Sequence, residues 1–132
     1  MLVLYDTNTL VKILSRREGI LTFKRDTVER HITNITSQHI LSEVEAVLAE
    51  RMKLTKQKAK AATRLLERQS VVINPKTIEK ICRDPFDDYV LAAAKEGGVE
   101  YLVTEDKDLL ILKGYQSVKI VNTSTFRRIL DK

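Results

Sequence analysis

Apolar residues in this chain fall into two alternating kinds of run. Leu2 to Tyr5, Ile32 to Ile35, Val71 to Ile73, Tyr101 to Val103 and Val118 to Val121 are short, continuous and rich in branched side chains, which predicts buried strands. Between them, apolar positions recur every three or four residues. Leu10, Val11 and Leu14 give a first helical period, and Ile20 to Arg30 a second with Leu21, Phe23 and Val28 inward. Ile40, Val44, Val47 and Leu48 mark a third helix, capped by Thr36-Ser37. Thr55 to Gln69 predicts a fourth, with Ala62, Leu65 and Leu66 as its apolar side. After the break at Asn74-Pro75, Thr77 to Ile81 reads as a short helix or turn. Phe86 to Glu96 is an alanine-rich helix stopped by Gly97-Gly98, and Asp106 to Leu112 a short one ending near Gly114. Asn122-Thr123-Ser124 caps a last helix holding Phe126, Ile129 and Leu130.

Continuous apolar strands alternating with helices predict an α/β fold, with a parallel sheet covered by helices on both faces. The 132 residues suit a single domain, 1–132, and no repeat, low-complexity segment or linker interrupts them. No apolar run approaches the ~18 residues of a membrane span. Met1 to Asp6 lacks the basic and long apolar regions of a signal peptide, and the single cysteine, Cys82, allows no internal disulfide. The expected location is therefore cytoplasmic.

Charge changes the picture in one window. Residues 51–70 carry Arg51, Lys53, Lys56, Lys58, Lys60, Arg64 and Arg68 against one acid, Glu67, a local excess of +6 in a chain of net +5. Lys53, Lys56, Lys60, Arg64 and Arg68 recur at helical spacing and form one basic stripe. A solvated helix face accounts for such a stripe, as does a polyanionic partner such as nucleic acid.

The acids are the second clue. Asp6 directly follows the first strand, and Asp106 follows the fourth by three residues, at the sheet edge where α/β sites form. Each also suits a helix cap. Glu43, three residues after Ile40 and four before Val47, is expected on the apolar stripe of its helix, whereas Glu45 projects away. Asp84, Asp87 and Asp88 are the densest group. Helical spacing gives Asp87 and Asp88 each an apolar face, so it does not decide which points inward. Carboxylates without a Cys/His ligand set suit Mg²⁺ or Mn²⁺ rather than zinc. His31 and His39 lack zinc spacing, and there is no glycine-rich phosphate loop. Hard cations on carboxylates beside a basic stripe point to metal-dependent phosphodiester hydrolysis.

Val3-Leu4-Tyr5-Asp6-Thr7-Asn8, Ser37 through Leu48, Cys82-Arg83-Asp84-Pro85-Phe86-Asp87-Asp88 with Leu91-Ala92-Ala93-Ala94, and Tyr101 through Leu110 together resemble a PIN domain, nearly end to end. The resemblance implies a three-layer α/β/α sandwich around a central parallel sheet. It implies a Mg²⁺- or Mn²⁺-dependent nuclease acting on RNA. By motif position it implies Asp6, Glu43, Asp88 and Asp106 as the catalytic acids, with Asp84 and Asp108 as further metal ligands. Asn8 and Thr104 match positions that orient an acid or a metal-bound water. Small single-domain members resemble toxins of prokaryotic type II toxin–antitoxin pairs, which implies a cognate antitoxin and a homodimer. Phe86 and Glu105 depart from the pattern, standing where another acid and a small residue are common. Three other functions compete: a catalytically silent RNA-binding module, a phosphoacceptor signalling domain and a small-substrate phosphatase. Lys119 lies inside the fifth strand rather than after it, and Glu43 has no place in the phosphoacceptor scheme.

Overall fold

The computed structural model describes residues 1–132. Strand β1 (Leu2–Tyr5) ends at Asp6, whose carboxylate accepts the Asn8 N–H at 3.1 Å and starts helix α1 (Thr7–Ser15). Helix α2 (Gly19–Glu29) follows, then strand β2 (Thr33–Thr36). Ser37, fully buried, accepts the Ile40 N–H at 3.1 Å and starts α3 (Gln38–Glu50). Ser37→Ala leaves that donor unpaired away from water, so we expect it to lower stability by about 1–2 kcal/mol in urea unfolding. Helix α4 (Lys56–Arg68), capped by Thr55, packs on α3 and leads into β3 (Ser70–Val72).

Helix α5 (Pro85–Glu96) takes Asp84 as its cap and Pro85 in its first turn, where proline's missing N–H costs nothing. Strand β4 (Tyr101–Val103), helix α6 (Lys107–Leu110), strands β5 (Gly114–Tyr115) and β6 (Val118–Val121), and helix α7 (Thr123–Leu130) complete the chain.

The sheet order is β3-β2-β1-β4-β6-β5, parallel throughout except for β5 against β6. Val3 is level with Asn34 on one side and Tyr101 on the other. From β1 the chain steps outward to β2 and β3, then returns to β4 on the opposite flank of β1. The carboxyl ends of β1 and β4 therefore border the switch point of the sheet, where the crossing loops part and leave a crevice.

Side chains alternate across the sheet. Leu4, Ile35, Leu102 and Ile120 meet Leu41, Val44 and Leu48 of α3, Leu66 of α4 and Leu91 and Ala94 of α5 in the main core. Each fully buried leucine contributes roughly 1.5–3 kcal/mol relative to exposure, so this face dominates stability. On the reverse face, Val3 and Val103 pack with Ile32 and with Phe126 of α7. The result is the expected three-layer α/β/α sandwich.

Five local expectations change. Leu21 and Val28 are 61% and 66% exposed, and Phe23 carries the burial of α2 against Tyr5. Leu65 is exposed, while Ala59, Thr63 and Leu66 form the buried side of α4. Residues 77–81 form neither helix nor turn, and the short antiparallel β5 was not foreseen. Glu43 is exposed, whereas Glu45 is half-buried. Both lie on flanks of the Ile40–Val44–Val47–Leu48 stripe, and the tilt of α3 on its neighbours settles which flank is covered. No helix is long and apolar enough to cross a membrane.

Candidate metal centre

Asp6, Asp84 and Asp106 reach the switch point for the same local reason. Each is the N-cap of a helix that starts there: α1, α5 and α6 respectively. An N-cap wants a short acceptor side chain, and the partial positive charge of a helix start favours a carboxylate. Capping alone therefore draws three acids to one edge. It uses one oxygen of each: Asp6 Oδ1 toward Asn8, Asp84 Oδ1 toward Phe86, and Asp106 Oδ1 toward Asp108 at 2.9 Å. A carboxylate offers about four acceptor sites, so each retains capacity for a cation.

Thr104 ties two of these acids together. Its fully buried hydroxyl donates to Asp6 Oδ2 at 2.5 Å and accepts the Asp106 N–H at 3.0 Å. The Asp6 N–H, in turn, donates to the Val103 carbonyl at 3.1 Å. Thr104 thus holds the ends of β1 and β4 in one register. Asn8 is exposed and contributes its backbone N–H to Asp6 rather than its side chain.

Asp87 and Asp88 are both buried, and they point differently. One oxygen each from Asp87, Asp106 and Asp108 lie within 4.8 Å of one another. Burial pushes the Asp87 carboxyl up to about 7, with the negative charges of Asp106, Asp84 and Asp6 adding to it. Asp6 is also raised, chiefly by burial, against the opposing hydrogen bonds from Thr104 and Asn8. Asp88 instead turns away. Its Oδ1 accepts the N–H groups of Ile81 and Cys82 at 2.9 and 2.7 Å. The structure thus brings Asp87, which helical spacing left undecided, to the acids and commits Asp88 to the preceding backbone.

Asp108 has two neighbours of opposite kind. It belongs to the acid cluster, and both its oxygens accept from Arg83 Nη2, at 2.8 and 2.9 Å. Glu43 is not among the clustered acids; it lines a shallow depression with Gln38, His39, Ser42 and Tyr89. In that depression His39 stacks on Tyr89 at 4.2 Å between ring centres. Glu105 is exposed and accepts the Thr123 N–H at 3.1 Å, so it caps the start of α7. Cys82 carries a thiol pushed up to about 11, by burial first and by Asp88 and Asp87 next, which excludes an activated thiolate.

The basic stripe is exposed throughout, at Lys53, Lys56, Lys60, Arg64 and Arg68. Its end at Arg68 precedes Ser70, which is level with Asn34 and Val3. Ser70 is therefore three strand residues, about 10 Å, short of the level of Asp6. The Arg68 end of the stripe stands toward the amino edge of the sheet, not beside the acids.

The donor set is hard oxygen from clustered carboxylates, with no imidazole or thiolate among the three grouped side chains. That chemistry fits a divalent cation of the Mg²⁺ or Mn²⁺ type and does not fit a structural zinc. It also explains the tension in Asp87: like charges crowded in a buried crevice resist ionising together unless a cation joins them.

A family model described as PIN domain matches residues 2–108, spanning β1 through the first residues of α6 and including every acid named above. A search of curated proteins returned no match.

Proposed function

The chain belongs to the PIN-domain family, whose members are generally nucleases, and on that footing we propose that it is a metal-dependent endoribonuclease. The observation that carries this is the grouping of the Asp87, Asp106 and Asp108 carboxylates, with Asp87 raised by burial and by the charges of Asp106, Asp84 and Asp6. Mg²⁺ or Mn²⁺ bound there supplies an activated water and neutralises charge on the leaving oxygen. Asp87 and Asp106 are the candidate ligands from α5 and from the start of α6. Asp6 completes the set from β1, its carboxylate oriented by Thr104 and by the Asn8 N–H. Asp84, exposed at the α5 cap, adds negative potential and an acceptor at the rim. Glu43, on α3, lies with the stacked His39 and Tyr89 outside the clustered acids, and we keep it as a candidate acid that reaches the centre only with substrate or metal bound.

An RNA substrate is supported by the family and by the net charge of +5. Lys53, Lys56, Lys60, Arg64 and Arg68 provide a diffuse attraction for a long polyanion. We further assign the protein to the toxin class of type II toxin–antitoxin pairs, acting in the cytoplasm as a homodimer with a cognate antitoxin. The resemblance of its motifs to those of such toxins supports this, and the exposed Leu21 and Val28 of α2 offer apolar contact to a protein partner.

The test is cleavage of a mixed single-stranded RNA pool by purified protein with Mg²⁺, Mn²⁺ or EDTA, beside Asp6→Asn. We expect cutting that needs the metal and vanishes in the variant, while its circular dichroism matches wild type. Absence of both cutting and Mn²⁺ binding would favour a silent RNA-binding module. Induced expression, alone and with the adjacent gene product, tests the toxin assignment: growth arrest relieved by the neighbour is expected, and unaffected growth would refute it.

A further inference from the structure

A crevice of carboxylates must admit a polymer that carries a negative charge on every nucleotide. Bound cations answer part of that repulsion at the reacting phosphate. Phosphates on either side still approach Asp84 and Asp108 at the rim. Of the four ion pairs in the structure, one involves the acid cluster: Arg83 with Asp108.

Its geometry is unusual for a stabilising pair. A single guanidinium nitrogen, Nη2, spans both Asp108 oxygens, and the Arg83 side chain is 86% exposed. An exposed pair of this kind contributes about 0–1 kcal/mol to folding. It leaves Nε and Nη1 with no protein acceptor. Those donors, the Nε–H and the two Nη1 hydrogens, lie in the guanidinium plane and leave the cation free to take a phosphodiester oxygen while Nη2 stays on Asp108.

The backbone under Arg83 is held with more care than its side chain. Asp88, buried in the first turn of α5, takes the N–H groups of the two residues just before Arg83. Asp84, just after it, caps the same helix. The Ile81–Asp84 segment is thereby pinned to the first turn of α5 on both sides of Arg83. Adjacent residues of that turn divide the work: Asp87 faces the acids, and Asp88 grips the segment that presents the cation.

We infer that Arg83 binds an RNA phosphate beside the scissile one, with Asp108 positioning its guanidinium and Asp88 positioning its backbone. On this inference, which rests on the ribonuclease assignment, Asp88 and Asp108 serve the substrate clamp and are not metal ligands. Lysine at position 83 does not replace arginine, because an ammonium cannot hold Asp108 and a phosphate in one plane.

The experiment compares wild type, Arg83→Ala, Arg83→Lys, Asp108→Asn and the Arg83→Ala/Asp108→Asn double variant. Three quantities are measured: Mn²⁺ binding by calorimetry, cleavage kinetics on an RNA that wild type cuts, and binding of a short fluorescent single-stranded RNA in Ca²⁺. Arg83→Ala should keep Mn²⁺ affinity and melting temperature, and raise both KM and the RNA Kd about tenfold or more, with kcat changed less. The salt dependence of RNA binding should flatten by about 0.7 in log–log slope, the loss of one phosphate contact. Arg83→Lys should recover only part of the loss. Asp108→Asn should keep Mn²⁺ binding, and the double variant should bind RNA no worse than Arg83→Ala. If Asp108→Asn abolishes Mn²⁺ binding, Asp108 is a ligand and the inference fails. If wild type cuts RNA and Arg83→Ala shows unchanged KM and RNA affinity, the inference fails and the ribonuclease assignment stands. A wild type that binds no RNA in Ca²⁺ and cuts none overturns both.

Discussion

Asp87→Asn is expected to abolish metal-dependent cleavage while raising the melting temperature of the metal-free protein. The two effects have one cause. Asp87 is buried within reach of Asp106 and Asp108 and is pushed up to about 7, by burial and by the fields of Asp106, Asp84 and Asp6. Its charge at neutral pH is therefore a cost to the fold, offset when a cation binds. An amide keeps the shape and removes the charge, so the metal-free protein should melt higher by a few degrees. Loss of a neighbour that merely supports a ligand typically costs 10–100-fold in metal affinity or activity, so loss of a ligand should cost at least about a hundredfold. Asp88→Asn provides the contrast. An amide oxygen still accepts the Ile81 and Cys82 N–H groups, so Mn²⁺ affinity should persist. Wild-type cleavage by Asp87→Asn, with loss in Asp88→Asn, would reverse the two roles.

Without metal, the protein should lose thermal stability as pH rises from about 4 to about 7. An unfolded aspartate titrates near 3.9. The folded value for Asp87 is about 7. Between those limits the native state keeps a proton that the unfolded state has released. Fewer protons bound in the unfolded state means that stability falls with pH, and that it levels off above the folded value. Asp6, also raised, adds a contribution of the same sign. Mg²⁺ or Mn²⁺ should reverse the trend, because the cation binds the charged form: affinity should climb through about pH 7 and then plateau. Scanning calorimetry across this range, with and without Mn²⁺, checks both limbs. A metal-free profile that is flat or rising would show that the acids are not crowded as their positions imply.

Much of the architecture was legible along the chain, because the forces that set it are local. Short apolar runs such as Leu2–Tyr5 became strands. Asp6, Ser37 and Asn122 became caps, since a side-chain oxygen two or three residues from a free N–H needs no distant partner. The same local rule put Asp6 and Asp106 at strand ends. Alternation of strands and helices implied the layered parallel sheet, and the motif order implied the family.

What no window of sequence contained was the rotation of each helix about its axis. Asp87 and Asp88 are about 100° apart on α5, each with apolar neighbours. Docking of α5 against the core, not its own periodicity, turned Asp87 to the acids and Asp88 to Ile81 and Cys82. The same freedom exposed Leu21, Val28 and Glu43, which spacing had placed inward. The hairpin strand β5, two residues long, exists only through its pairing with β6. Arg83 carried no signal until Asp108, 25 residues onward, folded back to meet it. The sequence by itself determined the main strands and helices, their order and the supply of carboxylates at one edge. Tertiary packing decided which of those carboxylates face one another, because the side of a helix that is buried is set by surfaces far away in the chain.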